Sequence, residues 1–188
     1  MNEMSASPHL VVRTLAANDR AGAERWDAFV ASCQGATFFH RSGWQQLIED
    51  VFRHRTHFLY AERAERIEGV LPLAHVKSLL FGDALVSLPF AVYGGVAADT
   101  PDAATALEDE AQALAERLGV DHLELRNVAA RHPDWPTQDL YVTFRREILA
   151  DAPAIHPGDV VAVGGTAANL LRLLPATTLD RVLTRRRL

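Results

Sequence analysis

The chain has one cysteine, Cys33. A single thiol can form neither an internal disulfide nor a thiolate metal cluster, and it fits a reducing compartment. Long apolar runs are also missing, and none approaches the roughly 18 residues of a membrane span. The opening residues, MNEMSASPHL, lack a basic start and an apolar segment, so they do not read as a signal peptide. The expectation is a soluble cytoplasmic protein. Basic excess is absent as well. The formal net charge of -5 argues against a nucleic-acid module with a basic face. No Lys or Arg occurs between Ala84 and Glu116. Ser87 has no G-x-S-x-G context, which excludes a hydrolase nucleophile elbow.

What is present is apolar material for a core. Of 188 residues, 48% are hydrophobic, enough for one ordinary domain and too many for general disorder. The charge is uneven. Residues 151–188 carry Arg172, Arg181, Arg185, Arg186 and Arg187 against Asp151, Asp159 and Asp180, so the acidic excess lies in the first 150 residues. The same tail has no aromatic residue and no Lys.

The stretch from Ala84 to Pro101 organises the rest. A strand pattern through Leu85, Val86, Leu88 and Phe90 leads into Tyr93-Gly94-Gly95 and then a helix start at Asp99-Thr100-Pro101. A strand, a Gly-Gly loop and a helix N-terminus together commonly hold a ligand, because glycine admits close backbone approach and the first helical N–H groups lack partners. Coenzyme A pyrophosphate is one candidate. The plain alternative is a tight turn. The absence of a nearby cation and the carboxylates of Asp99 and Asp102 favour the turn.

Around that stretch the elements follow in order. His9–Leu15 reads as a strand. Ala21–Ser32 has helical spacing with Trp26, Phe29 and Val30 on one face. Ser42 is a plausible cap for a second helix through Phe52, with Trp44, Leu47, Ile48 and Val51 on one side. Thr56–Glu62 and Ile67–Lys77 flank a polar link and read as a hairpin, with Pro72 at a bulge or an edge. Pro101–Leu118 is the clearest helix, capped by Thr100 and ended by Gly119. Asp121–Arg126 alternates as a strand with Leu123 and Leu125 inward, and Asp139–Ile148 is a further strand. The class is therefore α/β, a mixed sheet with flanking helices, in the element order of the acyl-CoA N-acyltransferase (GNAT-like) fold.

Candidate chemistry is sparse. Phe39-His40-Arg41-Ser42-Gly43-Trp44 could bind a sugar or an anionic group by stacking and guanidinium forks, or Phe39 and Trp44 could simply be core. His54 and His57 lack a third ligand, so no metal site is expected. His122 and Glu124 share a strand face without any nucleophile beside them. No catalytic residue is identified.

The run at Phe39-His40 and Trp44, then Gly69-Val70-Leu71-Pro72-Leu73, the Phe81-Gly82 turn, Ser87-Leu88-Pro89-Phe90 and Tyr93-Gly94-Gly95, resembles the FemAB family over roughly residues 9–148. The nearest branch is the one associated with the PEP-CTERM/exosortase system of exopolysaccharide production. The resemblance implies the first of two acyltransferase-like domains, covering residues 1–150. It implies acyl or aminoacyl transfer to a peptidoglycan or exopolysaccharide precursor, from aminoacyl-tRNA or another acyl donor, without coenzyme A or any other cofactor. The segment around Trp44 resembles the stretch that lines the precursor groove, which implies His40, Arg41 and Trp44 as contacts; Tyr93, Gly94 and Gly95 of the glycine loop are the further candidates for substrate binding. Residues 151–188 depart from the family and read as a frameshifted tail of a truncated member. Two alternatives stand beside this reading. One is a non-catalytic half that binds a precursor or self-associates through an exposed sheet edge. The other is a stand-alone coenzyme A-dependent N-acetyltransferase.

Overall fold

The spine of the fold is a hairpin of β2 (Arg55–Arg63) and β3 (Arg66–Ser78), in a computed structural model that describes residues 9–78 and 82–137. Ala64 and Glu65 turn the chain at φ of 48° and 63°, the left-handed pair of a two-residue hairpin link. β1 (Val11–Leu15) pairs with β2, and β4 (Gly82–Ser87) with β3, both antiparallel. β6 (His122–Glu124) joins β4 in parallel, giving the order β1-β2-β3-β4-β6. The short β5 (Ala97–Ala98) pairs with β3 beyond the end of β4.

Helices cover both faces. α1 (Arg20–Ser32) and α2 (Gly43–Phe52) lie over a core of Trp26, Phe29, Ile48, Phe58, Tyr60 and Val70. α3 (Pro101–Leu118) lies over Leu59, Leu71, Leu73 and Leu85, contributing Leu107 and Ala111. β2 is buried on both sides, which is why Phe58-Leu59-Tyr60-Ala61 is a continuous apolar run rather than an alternation. This mixed sheet flanked by helices is the architecture expected from the element order.

Pro72 shows how local chemistry serves the topology. It sits inside the central strand β3, opposite Phe58. Its carbonyl accepts from Leu88 N–H at 3.1 Å, on the side where β4 has ended at Ser87 and β5 has not begun. Its missing N–H therefore falls in a gap between two partner strands, so the expected edge is a local one.

α3 begins and ends as its sequence requires. The Thr100 hydroxyl accepts from Ala103 N–H at 3.3 Å, Pro101 opens the first turn, and Gly119 closes the helix at φ 66°. Three local expectations are corrected. Ser42 makes no side-chain cap; its N–H donates instead to Asp27 Oδ1 at 2.8 Å. α2 buries Gln45 and Ile48 and leaves Leu47 and Val51 exposed. β4 stops at Ser87, because Leu88 and Phe90 turn left-handed at φ of 51° and 69°, and Phe90 is exposed.

The chain divides into two units, Met1–Pro133 and Asp134–Leu188, and every element named above belongs to the first. The expected strand at Asp139–Ile148, the tail 151–188 and Phe81 of the expected turn lie outside the described residues. No helix among the described residues is long and apolar enough to cross a membrane.

Candidate functional site

Two stretches singled out from the sequence meet in space. His40 ends a 3-10 turn, Phe38–His40, between α1 and α2. Its side chain is 1% exposed. Thr37 N–H donates to Nδ1 at 3.0 Å, so the ring proton is on Nε2, which donates to the Gly95 carbonyl at 2.8 Å. Burial holds the imidazole neutral, with its pKa below the usual histidine range, although the Gly95 carbonyl opposes that shift. His40 thus ties the loop of Gly94 and Gly95 to the α1–α2 connection. Its ring faces protein on every side.

The glycine loop is closed by the protein's own atoms. Gly94 and Gly95 N–H both donate to the Arg126 carbonyl, at 3.3 and 3.0 Å. A Cβ on Gly94 would stand 2.5 Å from the Leu88 Cβ, and one on Gly95 would stand 2.8 Å from the Asn127 backbone nitrogen. Arg126 completes the clamp. Its N–H donates to Ser87 Oγ at 2.6 Å, and its guanidinium reaches the Ala91 carbonyl at 2.8 Å and Glu124 at 2.6 Å. Asn127 Oδ1 accepts from Val96 N–H at 3.0 Å. Tyr93 is half-buried in the same loop.

Beyond the loop, a cleft of about 370 Å³ opens at the start of α3, lined by Gly35, Ala98, Asp99, Thr100, Asn127 and Arg131. The helix offers this cleft few donors. Pro101 has no N–H, and the Thr100 hydroxyl already takes that of Ala103. Asp99 lines the cleft and Asp102 lies in the first turn of the helix, so the charge at this helix start is acidic and disfavours a phosphate. The cation of the cleft, Arg131, is held by Glu108 at 2.7 Å. Glu108 is 1% exposed and is also bound by His132 at 3.1 Å.

Arg41 faces outward, while Trp44, like Phe39, packs partly against the core under α1 and α2. The Arg41 guanidinium reaches only the Asp27 carbonyl, at 3.3 Å, and holds no carboxylate among the described residues. Trp44 is half-buried. Its ring lies 5.9 Å from Phe38 and 5.7 Å from Phe39, and its Nε1–H donates to the Phe38 carbonyl. Phe38 is 72% exposed. The arrangement is an open aromatic step beside an uncommitted guanidinium, suited to stacking on a sugar or planar group and pairing with an anion.

Of the other sequence candidates, His122 is exposed, and Glu124 is taken by Arg126. His54 stacks on Phe90 at 6.3 Å. Among the described residues, no three His, Cys, Asp or Glu side chains converge as a metal site would require. The parts played by Phe38, Arg126, Glu108 and Arg131 are not singled out from the sequence. Only Glu108 has a signal there, since it falls within the apolar stripe between Ala104 and Ala111.

No protein-family model matches the sequence, and no curated protein matches it. Several solved structures align with the chain. A GNAT family acetyltransferase of Staphylococcus aureus subsp. aureus USA300_TCH1516 aligns at 9% identity, over 74% of this chain and 98% of its own, with a TM-score of 0.47. A transcriptional regulator from Bacillus halodurans C-125 aligns at 12% identity, over 74% and 100%, with a TM-score of 0.47. The ribosomal-protein-alanine N-acetyltransferase from Brucella melitensis biovar Abortus 2308 aligns at 17% identity, over 72% and 99%, with a TM-score of 0.43.

Proposed function

We propose that the chain is a FemAB-type N-acyl or aminoacyl transferase that acts on an envelope peptidoglycan or exopolysaccharide precursor and does not use coenzyme A. The supporting observation is the commitment of the Gly94 and Gly95 N–H groups to the Arg126 carbonyl. A loop that cradles pyrophosphate presents such groups to the ligand; here they are spent inside the protein. The reaction class is attack of an acceptor amine on an activated acyl carbonyl. The donor's ester oxygen leaves and takes up the proton the amine gives up, as it would from an aminoacyl-tRNA. The precursor-binding role falls to Arg41 and Trp44, with Phe38 added, while His40, Gly94 and Gly95 position the loop behind them.

Thermal-shift titration of the full chain with acetyl-CoA and, separately, with a lipid-free peptidoglycan precursor tests this reading. Stabilisation by the precursor alone, reduced in Arg41→Ala and Phe38→Ala, is expected. Stabilisation by acetyl-CoA alone overturns it in favour of a coenzyme A enzyme.

A further inference from the structure

α2 is packed with a polar residue inward and apolar residues outward. Gln45 is buried, its Nε2 donating to the Leu15 carbonyl at 3.1 Å, while Leu47 and Val51, one turn apart, stand 40% and 61% exposed. Trp44 extends the same stripe towards exposed Phe38 at the helix start. At the other end, Phe52 stacks on Phe90 at 4.0 Å, and Phe90 and Val92 are 57% and 60% exposed. Phe90 is held out by a left-handed backbone that a non-glycine residue adopts only at a cost. Strain that keeps an aromatic ring in water points to a use for that ring. Most of the large exposed apolar side chains among the described residues therefore belong to α2 and the loop beside it.

Guanidiniums stand at both ends of this stripe, with the Asp27 carboxylate beside the first of them, where it accepts from Ser42 N–H. Elsewhere most arginines sit on carboxylates, as Arg13 and Arg25 do on Glu62 and Arg131 does on Glu108, with Arg20 the exception among the described residues. Arg41 before α2, and Arg53 and Arg55 after it, are exposed and hold no carboxylate among the described residues. Asp50 is the exposed carboxylate on the stripe's own helix, and Glu49 is turned to the Thr56 hydroxyl. An apolar helix face with aromatic anchors and guanidiniums at both ends has the form of an interfacial helix lying flat on a charged surface.

We propose that this face docks on an anionic lipid bilayer, with Leu47, Val51, Phe90 and Val92 entering the headgroup–acyl boundary and Arg41, Arg53 and Arg55 contacting lipid phosphates. A second copy of the chain fits less well. Antiparallel pairing of α2 with itself about Leu47 would bring Arg41 of one copy towards Arg53 of the other, a like-charge contact.

Co-sedimentation of the full chain with phosphatidylcholine vesicles, and with vesicles containing an equal share of phosphatidylglycerol, tests the assignment. Binding to the mixed vesicles is expected, weakened by salt and about fivefold lower for each of Arg53→Gln and Arg55→Gln. Phe90→Ser should lower it about tenfold. The Arg53 and Arg55 side chains are exposed, so their variants should melt like the parent; Phe90→Ser gives up only the surface stacking on Phe52 and His54 and should stay folded, and circular dichroism on the same samples verifies both. Equal binding to both vesicle types overturns the assignment, as does binding that ignores Phe90→Ser. So does failure to bind lipid together with sedimentation as a dimer that Val51→Ser dissociates, which would make the face a contact between copies.

Discussion

The Nε2–H of His40 donates to the carbonyl of Gly95 across 55 residues of sequence, at 2.8 Å and out of reach of water. This bond joins the α1–α2 connection to the loop between β4 and β5. His40→Ala removes it, leaves a buried carbonyl without a partner and opens a cavity. A loss of roughly 2–4 kcal/mol in unfolding free energy is expected. Urea denaturation of parent and variant measures it; a loss below the scatter of the fit would mean the loop is held without His40.

The same burial makes stability depend on acidity. The folded-state pKa values of His40 and His57 both lie below the ordinary value, in each case chiefly through desolvation; Arg55 and His75 add to the effect at His57. The unfolded chain then binds protons that the folded chain refuses. Stability from these groups is complete above about pH 6.5 and is lost as pH falls from there towards the folded-state values. His57 Nε2 has no hydrogen-bond partner among the described residues, so His57→Leu gives up no bond there. Melting temperatures measured from pH 8 to pH 5 should fall less steeply in His57→Leu than in the parent. Parallel slopes would show that His57 titrates normally.

Glycines that look alike in sequence divide sharply in space. A side chain at Gly95 meets the backbone of Asn127, whereas one at Gly43, in the first turn of α2, meets nothing within 4 Å. Gly95→Ala should destabilise by roughly 1–3 kcal/mol, because backbone cannot move aside as a side chain can. Gly43→Ala should stabilise by about 0.5 kcal/mol by restricting the unfolded chain. Thermal melts of the two variants verify the contrast, and a neutral Gly95→Ala would remove the close-approach argument.

Much of this fold is legible in the sequence, since the signals are local. Thr100, Pro101 and Gly119 bound α3, and Trp26, Phe29 and Val30 mark the inner face of α1. Errors arise where tertiary partners decide the outcome. Spacing puts Trp44, Leu47, Ile48 and Val51 on one side of α2, but periodicity cannot say which part of a stripe meets the sheet, and Gln45 is drawn inward by the Leu15 carbonyl. The apolar run to Phe90 reads as one strand because left-handed turns at Leu88 and Phe90 carry no glycine to announce them. At the candidate site the two relevant stretches are visible, but their meeting through His40 and Gly95 is not. A hydrogen bond across so many residues leaves no mark in composition or spacing. Arg126 and Arg131 are silent in the sequence for the same reason, as each acts on residues distant along the chain.

The buried pair of Glu108 and Arg131 separates the loss of one partner from replacement of the acid. Glu108 is sealed in the protein and bound by both Arg131 and His132, while the Arg131 side chain is 36% exposed. Arg131→Ala strands a buried carboxylate with one remaining partner, and a cost of about 2 kcal/mol is expected after allowing for solvent at the guanidinium. Glu108→Leu removes the buried charge and frees Arg131 to water. It should cost less, because the new side chain packs beside the apolar Leu107 and Ala111 and offsets the lost ion pair. Chemical denaturation of both variants ranks them. A larger loss in Glu108→Leu than in Arg131→Ala would show that the carboxylate organises the segment after β6 through its hydrogen bonds, and that the desolvation of its charge is the smaller effect.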